Sequence, residues 1–292
     1  MLQRSSWPTR APWLGLFAWL SVMGSTLTAV VIGGLCAITR LHVVRSDAGG
    51  PLRVCVGDLR TAFASPGDVV ITITAALVVG IVAGRAVWGV ATAARLTRRH
   101  RRRQLELLGL LARHDRDLGA LVVDHPSATV YCLPGRIGRV VITSAALTAL
   151  EPSQLAAVLA HERAHLRGRH HLLVGISNGL VRAFPTALLF GLGDEQIRDL
   201  VEMAADDRAC RRHSPSTLAR ALLALVDQTP PAAALAARGK SAENRLRRLS
   251  VDNGRMSPVS YGAAGGLVTV IAGAPIVIAT VTALIVVTAD LC

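Results

Sequence analysis

The sequence predicts a mainly α-helical membrane protein, in which three transmembrane helices flank a cytoplasmic α+β domain with a small edge sheet. Hydrophobic residues make up 51% of the 292 residues and charged residues only 17%, whereas about 25% is usual in soluble domains. Three segments are apolar over the roughly 20 residues that a helix needs to cross a bilayer. These observations together exclude an ordinary soluble domain.

The three predicted spans divide the chain into five parts. Arg85 is the one charge inside the second span. In order, we expect an N-terminal segment with the first span over 1–39, an extracytoplasmic loop over 40–68, the second span over 69–94, a cytoplasmic domain over 95–262, and the third span with a short extracytoplasmic tail over 263–292.

The distribution of arginine predicts the orientation in the plasma membrane. The formal net charge is +13, and Lys240 is the only lysine. Eight arginines lie within residues 95–116, whereas the residues after the third span carry only Asp290. Because arginine excess marks the cytoplasmic side, the domain over 95–262 is expected in the cytoplasm. No aromatic residues interleave the arginine run, so we expect no direct nucleic-acid binding.

The polar domain shows recognisable local patterns. Leucines at helical spacing predict a helix over 104–125, and two short strands are predicted over 128–135 and 139–143. The apolar run over 171–193 is long enough to span a bilayer. A single crossing would, however, place His165 before it and Glu202 after it on opposite sides, although both are candidate ligands of one metal ion. We therefore predict a buried or membrane-dipping helical hairpin that is broken near Pro185.

The stretch LAHERAHLRGRHH, residues 159–171, contains the pattern H-E-x-x-H. His161 and His165 are four residues apart, so on a helix they share one face and can bind one tetrahedral zinc ion. Glu162 lies on the flank of that face, where it can take a proton from a zinc-bound water and deliver one to a leaving amine. The pattern predicts a zinc-dependent peptidase with one catalytic Zn²⁺.

A catalytic zinc needs a third protein ligand. Glu202 and Asp206 form E-x-x-x-D in a later polar helix, and Glu202 is the natural third ligand. Asp206 can accept a hydrogen bond from a ligand histidine and so fix its tautomer. Asp207 is a competitor for that role, although its spacing suits the face less well.

Several other polar residues have competing interpretations. His170, His171 and His213 could stabilise an oxyanion, but we expect them to be solvated or capping. Gly175–Gly179 matches the G-x-S-x-G serine elbow, yet it lies in an apolar, helix-like stretch, so we expect a buried serine. The five cysteines form no C-x-x-C pair, which argues against a cysteine zinc site. Pairing of Cys55 with Cys292 stays open if both face an oxidising side.

Three stretches, AVLAHERAHLRGRHH, EMAADDRAC and ENRLRRL, resemble the membrane-embedded gluzincin peptidases over roughly residues 95–260. The closest types are the BlaR/MecR beta-lactam-sensor metallopeptidases and the related HtpX/CAAX-protease metallopeptidase domain. The resemblance implies that His161, His165 and Glu202 bind zinc and that Glu162 is the general acid/base. It also implies that the strand near Val140–Thr143 is the edge strand for an extended substrate, and it places Arg245 and Arg248 in a recurrent basic motif, where we expect packing or salt bridges.

The chain departs from the sensor proteins at its C-terminal end. Those proteins carry an extracytoplasmic penicillin-binding domain after the last span, and this sequence has no S-x-x-K, so we do not expect direct acylation by a beta-lactam. Residues 1–16 begin where a linker after a further span would lie in those proteins.

The resemblance implies a regulatory protease whose protein substrate is a cytoplasmic BlaI/MecI-like transcriptional repressor. An HtpX-like quality-control protease that acts on membrane proteins is the first alternative. A non-catalytic membrane adaptor with a zinc-stabilised domain is the second, although a purely structural zinc site would not need Glu162.

Overall fold

The computed structural model describes residues 7–39, 41–44, 53–56, 66–135, 138–227, 240–250 and 256–289. These residues confirm the predicted fold class, because they are mostly helical, include three helices of membrane-spanning length and hold one small four-stranded sheet. The helices in and next to the predicted spans are α1 (Trp7–Arg10), α2 (Pro12–Thr39), α3 (Pro66–Leu111) and α10 (Pro258–Ala289). Strands β1 (Leu41–Val44) and β2 (Arg53–Val56) pair between α2 and α3.

The second spanning helix is much longer than the sequence predicts. With 46 residues, α3 is about 69 Å long at 1.5 Å per residue, more than twice the roughly 30 Å of a bilayer core. It runs without a break from the apolar segment through the arginine-rich segment to Leu111. The apolar spans over 12–38 and 258–281 agree with the predicted first and third spans.

The predicted helix over 104–125 is correct only as far as Leu111. Beyond it lie β3 (Ala112–Asp115) and β4 (Ala120–Val123), which form an antiparallel hairpin. The Asp115 carboxylate accepts two backbone N–H hydrogen bonds at 3.0 Å in the turn, and Gly119 takes a φ of 56° that other residues rarely adopt. The turn chemistry and the β-branched valines of β4 override the helical spacing of the leucines before them.

The predicted strands are present as β5 (Val130–Leu133) and β6 (Arg139–Thr143), but their roles differ from expectation. The sheet order is β3-β4-β6-β5, with β4 and β6 parallel and the other pairs antiparallel. Strand β6 is therefore central, and its side chains from Val140 to Ile142 are buried. The expectation of an edge strand near Val140–Thr143 is wrong, because β4, which the sequence did not reveal, occupies the other side of β6. The edge strands are β3 and β5.

The remaining helices form the domain around the sheet. They are α4 (Ser144–Ala149), α5 (Pro152–Arg167), α6 (His170–Ala183), α7 (Leu188–Ala209), α8 (Pro215–Asp227) and α9 (Lys240–Ser250). The helical hairpin predicted over 171–193 is confirmed: α6 ends at Ala183 and α7 begins at Leu188, on either side of Pro185. Proline has no N–H to continue the helix.

The hairpin of α6 and α7 packs directly against the membrane-length helices. One hydrophobic core contains Leu16, Trp19 and Met23 of α2 together with Ile197 and Leu200 of α7. Helix α6 lies along α3, where Gly89 and Gly179 allow the two backbones to approach closely. The domain around the sheet and the membrane-length helices therefore share a core.

Arg85, the charge within the second apolar segment, has a defined partner. Its guanidinium donates two hydrogen bonds, of 2.9 and 2.6 Å, to the carbonyl oxygen of Ala183 at the end of α6. A cation at a helix C-terminus satisfies a free carbonyl and interacts favourably with the helix dipole. The tip of the hairpin thus lies at the level of Arg85, about 15 Å along α3 from Arg95.

The close packing of α3 on α6 predicts opposite effects for two glycine substitutions in α6. Gly179→Ala places a Cβ at 2.6 Å from Val90 Cα, whereas Gly175→Ala meets no atom within 4 Å. Both gain about 0.5–1 kcal/mol of helix propensity, but overpacking at residue 179 costs about 1–3 kcal/mol. In detergent, thermal unfolding should move down for Gly179→Ala and up or not at all for Gly175→Ala. Equal shifts would contradict the packing.

Candidate active site

Two helices bring the sequence-predicted site residues together. Helix α5 begins at Pro152 behind a capping box in which the Glu151 N–H donates to the Gln154 side chain. One face of α5 carries His161 and His165. Helix α7 crosses it and carries Glu202 and Asp206 on the facing side. The structure therefore brings these four predicted residues together, although helix α6 lies between α5 and α7 in the sequence.

The three predicted metal ligands form a compact donor set. His161 Nε2 lies 3.1 Å from His165 Nε2. The Glu202 carboxylate oxygens lie 3.5 Å from the first nitrogen and 3.4 Å from the second. A tetrahedral zinc with bonds of 2.0–2.1 Å has neighbouring ligand atoms about 3.3 Å apart. The residues present therefore fit a zinc ion, and two imidazoles with one carboxylate are a known catalytic donor set.

Asp206 lies behind His161, away from the donor atoms. Its Oδ1 is 2.9 Å from His161 Nδ1, a hydrogen-bonding distance, although the contact is poorly aligned for a hydrogen bond. The Asp206 side chain is only 1% exposed, so its charge requires a partner. The position is the one predicted for a group that fixes the tautomer of a ligand histidine.

Arg245 of α9 supplies that partner. Its Nε and Nη2 donate to the two carboxylate oxygens of Asp206 at 2.8 and 2.7 Å, and its Nη1 lies 2.8 Å from Glu202 Oε2. One planar guanidinium thus holds the carboxylates of both α7 residues. The expected salt-bridge role of Arg245 is confirmed.

Asp207 and Arg248 form a separate pair on the next face of the same helices. Arg248 Nη2 donates to Asp207 Oδ1 at 2.6 Å, and its Nε donates to the carbonyl oxygen of Thr9 at 3.0 Å. Asp207 therefore points away from His161 and does not compete with Asp206. The Arg248 contact also ties the segment before the first span to α7.

The charges around the donor set stabilise one another. Burial raises the pKa of Glu202, but the hydrogen bond with His161 and the charge of Arg245 outweigh it and hold that pKa at about 2. Burial lowers the pKa of His161, but Asp206 and Glu202 outweigh it and raise the pKa to about 9. Burial lowers the pKa of His165 to about 4. Glu202 is thus held as a carboxylate and His165 as a neutral imidazole, the forms in which each can bind a metal.

Glu162 lies outside the donor set and faces β5. Its carboxylate is hydrogen-bonded to the Cys132 thiol, and burial raises its pKa. Burial and, to a lesser extent, the negative charge of Glu162 raise the pKa of the Cys132 thiol to about 12. The thiol therefore stays protonated and donates the hydrogen bond. Cys132 was not a predicted site residue, and its place on an edge strand gives no sequence signal.

The three additional histidines do not behave alike. His170 is buried, and its Nδ1 lies 2.9 Å from His165 Nδ1, so the expectation of a solvated or capping residue is wrong for it. Gly168 makes this burial possible, because a Cβ there would collide with the His170 ring. His171 lines the same cavity as His165, and His213 lies elsewhere, among arginines.

A cavity of about 520 Å³ opens beside the donor set. Its wall combines the end of edge strand β5 with α6 and α7, and includes Cys132, Pro134, His165, Val174, Val201 and Glu202. An extended peptide in this cavity could pair with the free edge of β5 and contact a mixed polar and apolar wall close to the donor atoms.

The serine motif has the structural role that was expected. Ser177 lies in the middle of α6, is fully buried, and donates to Asp194 of α7 at 2.6 Å. It therefore stabilises the hairpin and does not form a strand–turn–helix elbow. Among the described cysteines, Cys36, Cys132 and Cys210 form no disulfide, whereas Cys292 of the possible pair with Cys55 lies outside the described residues.

The Arg245 contacts predict a strong and specific loss of stability. Arg245→Met leaves the buried Asp206 carboxylate without its counter-ion, which should cost about 3–5 kcal/mol of unfolding free energy in chelator-treated protein. Arg247→Met, on the exposed face of the same helix, should change it by less than about 0.5 kcal/mol. Denaturant unfolding in detergent measures both values. A similar loss in the two variants would show that Arg245 is not the partner of Asp206.

Comparison with known proteins agrees with this geometry. No curated protein and no solved structure matches the chain. The family model described as Peptidase family M48 matches residues 95–238, which include both helices of the donor set. Peptidases of this family are zinc-dependent. Residues 95–238 are therefore similar to the metallopeptidases of Peptidase family M48, and the chain also has three helices of membrane-spanning length among the described residues.

Proposed function

We propose that the chain is a membrane-bound zinc metalloendopeptidase in which His161, His165 and Glu202 bind one Zn²⁺ and Glu162 is the general acid/base. The observation that carries the proposal is the convergence of three donor atoms at tetrahedral spacing, on a helix pair within the residues that are similar to Peptidase family M48. The cavity of β5, α6 and α7 gives a peptide access to them.

The chemistry divides among the residues as follows. A bound zinc ion would supply Lewis acidity, which lowers the pKa of a coordinated water and polarises the scissile carbonyl. Glu162 accepts the proton that the attacking water loses and donates it to the leaving amine nitrogen. Asp206 holds a proton on His161 Nδ1. Because the pKa of His161 is raised to about 9, the ring without metal is protonated on Nε2 as well, and a zinc ion would displace that proton on binding. Arg245 keeps Asp206 and Glu202 ionised and in place.

We place the catalytic domain, over 95–262, on the cytoplasmic side of the plasma membrane and residues 40–68 outside. Arginine excess next to the second span supports this orientation. The hairpin of α6 and α7 then reaches into the inner leaflet, because its tip meets Arg85 well inside the apolar part of α3. Leu188 at that tip is 82% exposed, and lipid would cover it.

For the substrate, we propose a cytoplasmic BlaI/MecI-like transcriptional repressor that is cleaved in response to a signal through the spans. A chain of contacts from the first span to the site supports such a route. The Trp13 ring of α2 lies 5.3 Å from the His170 ring, and His170 contacts His165. A shift of α2 relative to α7 would therefore move a group that contacts a proposed metal ligand.

A quality-control protease of the HtpX kind is the second candidate. The observation that favours it is the position of the cavity, because Val174 and Val201 in its wall belong to the hairpin that packs on the membrane helices. A substrate emerging from the bilayer would meet this wall first. A zinc-stabilised adaptor without activity is less well supported, since it would need neither Glu162 nor an open cavity.

The proposed roles predict a separation of metal binding from cleavage. His161→Ala, His165→Ala and Glu202→Ala should each lose bound zinc and activity. Glu162→Ala should keep about one zinc per chain and lose cleavage by at least about 100-fold. Glu195→Ala, on the exposed side of α7, should keep both. Zinc analysis of the purified variants and cleavage of casein measure these outcomes. Full zinc and activity in Glu202→Ala would refute the ligand assignment.

The substrate proposal is tested by co-expression with the repressor encoded nearest to this chain's gene. With the inducing signal present, we expect repressor fragments with the wild type and with Glu195→Ala, and intact repressor with Glu162→Ala. Intact repressor in all three strains, together with membrane proteins that accumulate only in the Glu162→Ala strain, would favour quality control.

A further inference from the structure

A second cavity, of about 620 Å³, lies on the face of α5 opposite the donor set, and we call it the arginine cavity. Its floor is apolar and its rim is basic. The floor contains Leu118, Pro152, Leu155, Ala156, Leu159 and Ala160, and the rim contains Arg163, Arg167, Arg208, Arg211, Arg212 and His213. Asp117, in the turn between β3 and β4, is the single acidic residue among the described residues of the lining.

The rim arginines are only partly compensated in the part of the chain that the structure describes, where Asp117 lines the cavity and the charge of Arg211 acts on Asp207. Arg163 donates to the carbonyl of Leu118 at 2.5 Å, and Arg167 donates to the carbonyl of Arg163 at 3.2 Å. None of the five rim arginines forms an ion pair with an acidic side chain among the described residues. Arg163 and Arg167 are also a like-charge pair at helical spacing, which is unfavourable without an anion.

The position of the cavity favours a soluble ligand over lipid headgroups. Gly15 of α2 lies against Leu200 of α7, and Gly193 lies against Met23. Helix α7 therefore leaves the level of the membrane helices as its residue numbers rise. Helix α7 ends at Ala209, nine residues and about 14 Å beyond Leu200 in that direction, so an anion that binds Arg211 would come from the aqueous side.

The residues that line the cavity favour an acidic peptide over a nucleic acid as the soluble anion. No phenylalanine, tyrosine or tryptophan is present among the lining residues that the structure describes, whereas single-stranded nucleic acids are bound largely by stacking on aromatic rings. An apolar floor of leucine, alanine and proline fits aliphatic side chains. Arginines around it fit carboxylates, which they bind in bidentate geometry.

We propose that the arginine cavity is a docking site for an acidic, amphipathic segment of the protein substrate, separate from the site of cleavage. This inference rests on the proposed peptidase function for the identity of the partner. The bound segment of the substrate would contact α5 and the end of α7, the two helices that carry the donor set. A different part of the substrate would reach the cavity beside Glu202. The peptidase would then select substrates by a feature remote from the peptide bond that is cut.

The test is peptide binding to the full-length protein in an uncharged detergent, in the Glu162→Ala background so that no probe is cleaved. The probe is a short fluorescent peptide of alternating glutamate and leucine, and its control has glutamine in place of glutamate. Anisotropy should show binding that weakens at least about tenfold in Arg211→Glu/Arg212→Glu and with the glutamine probe. The double variant Arg113→Glu/Arg220→Glu, which reverses two exposed arginines outside the cavity, should stay within about twofold.

Three results would overturn the proposal. Equal weakening in both double variants would show a general charge effect. Displacement of the peptide by an equal concentration of oligothymidylate would indicate a nucleic-acid site, and variant-sensitive binding to phosphatidylglycerol vesicles would indicate a lipid site. Zinc content, which should be unchanged in both double variants, verifies their folding. Since the readout is binding, it can fail while the peptidase proposal stands, and the reverse also holds.

Discussion

The buried contact between Arg245 and Asp206 is the interaction on which the rest of the site depends. Asp206 is almost fully buried, and such a carboxylate is stable only with a well-placed cation. Because the same guanidinium also reaches Glu202, it fixes two positions of α7 at once. Those positions set the distance from α7 to the two histidines of α5. Ordering α9 against α7 is therefore a condition for bringing the donor atoms together.

The membrane helices are part of the same construction. Helix α7 packs its apolar residues on α2, and α6 packs on α3 through paired glycines and the Arg85 contact. Helix α6 begins at His170, which contacts His165 on one side and Trp13 on the other. Forces on α2 or α3 thus reach the site through packed side chains, without a flexible linker in the described residues. This arrangement suits a peptidase whose activity is regulated by movements of its membrane helices. The contact of His170 with Trp13 also helps to fix the ring that contacts the proposed ligand His165.

The sequence was most informative where a helical repeat places polar residues on one face. The spacing of His161 with His165, and of Glu202 with Asp206, predicted residues that the fold does bring together. The apolar spans and the break at Pro185 were equally visible, because hydropathy and proline act locally. The hairpin of β3 and β4 was missed, since leucine spacing continued the helical pattern and the pairing with β6 is non-local. The partners of Arg245, His170 and Cys132 could not be assigned, because no spacing rule relates these residues to residues on other elements.

X-ray absorption spectroscopy at the zinc edge, on purified full-length protein, tests the central claim most directly. The account predicts one zinc per chain with only nitrogen and oxygen neighbours at about 2.0–2.1 Å, and with the multiple scattering of two imidazoles. A sulfur neighbour at about 2.3 Å would place the Cys132 thiol on the metal and contradict the donor set of two histidines and one glutamate. Protein that is folded but binds no zinc would contradict the metallopeptidase assignment of the site as a whole.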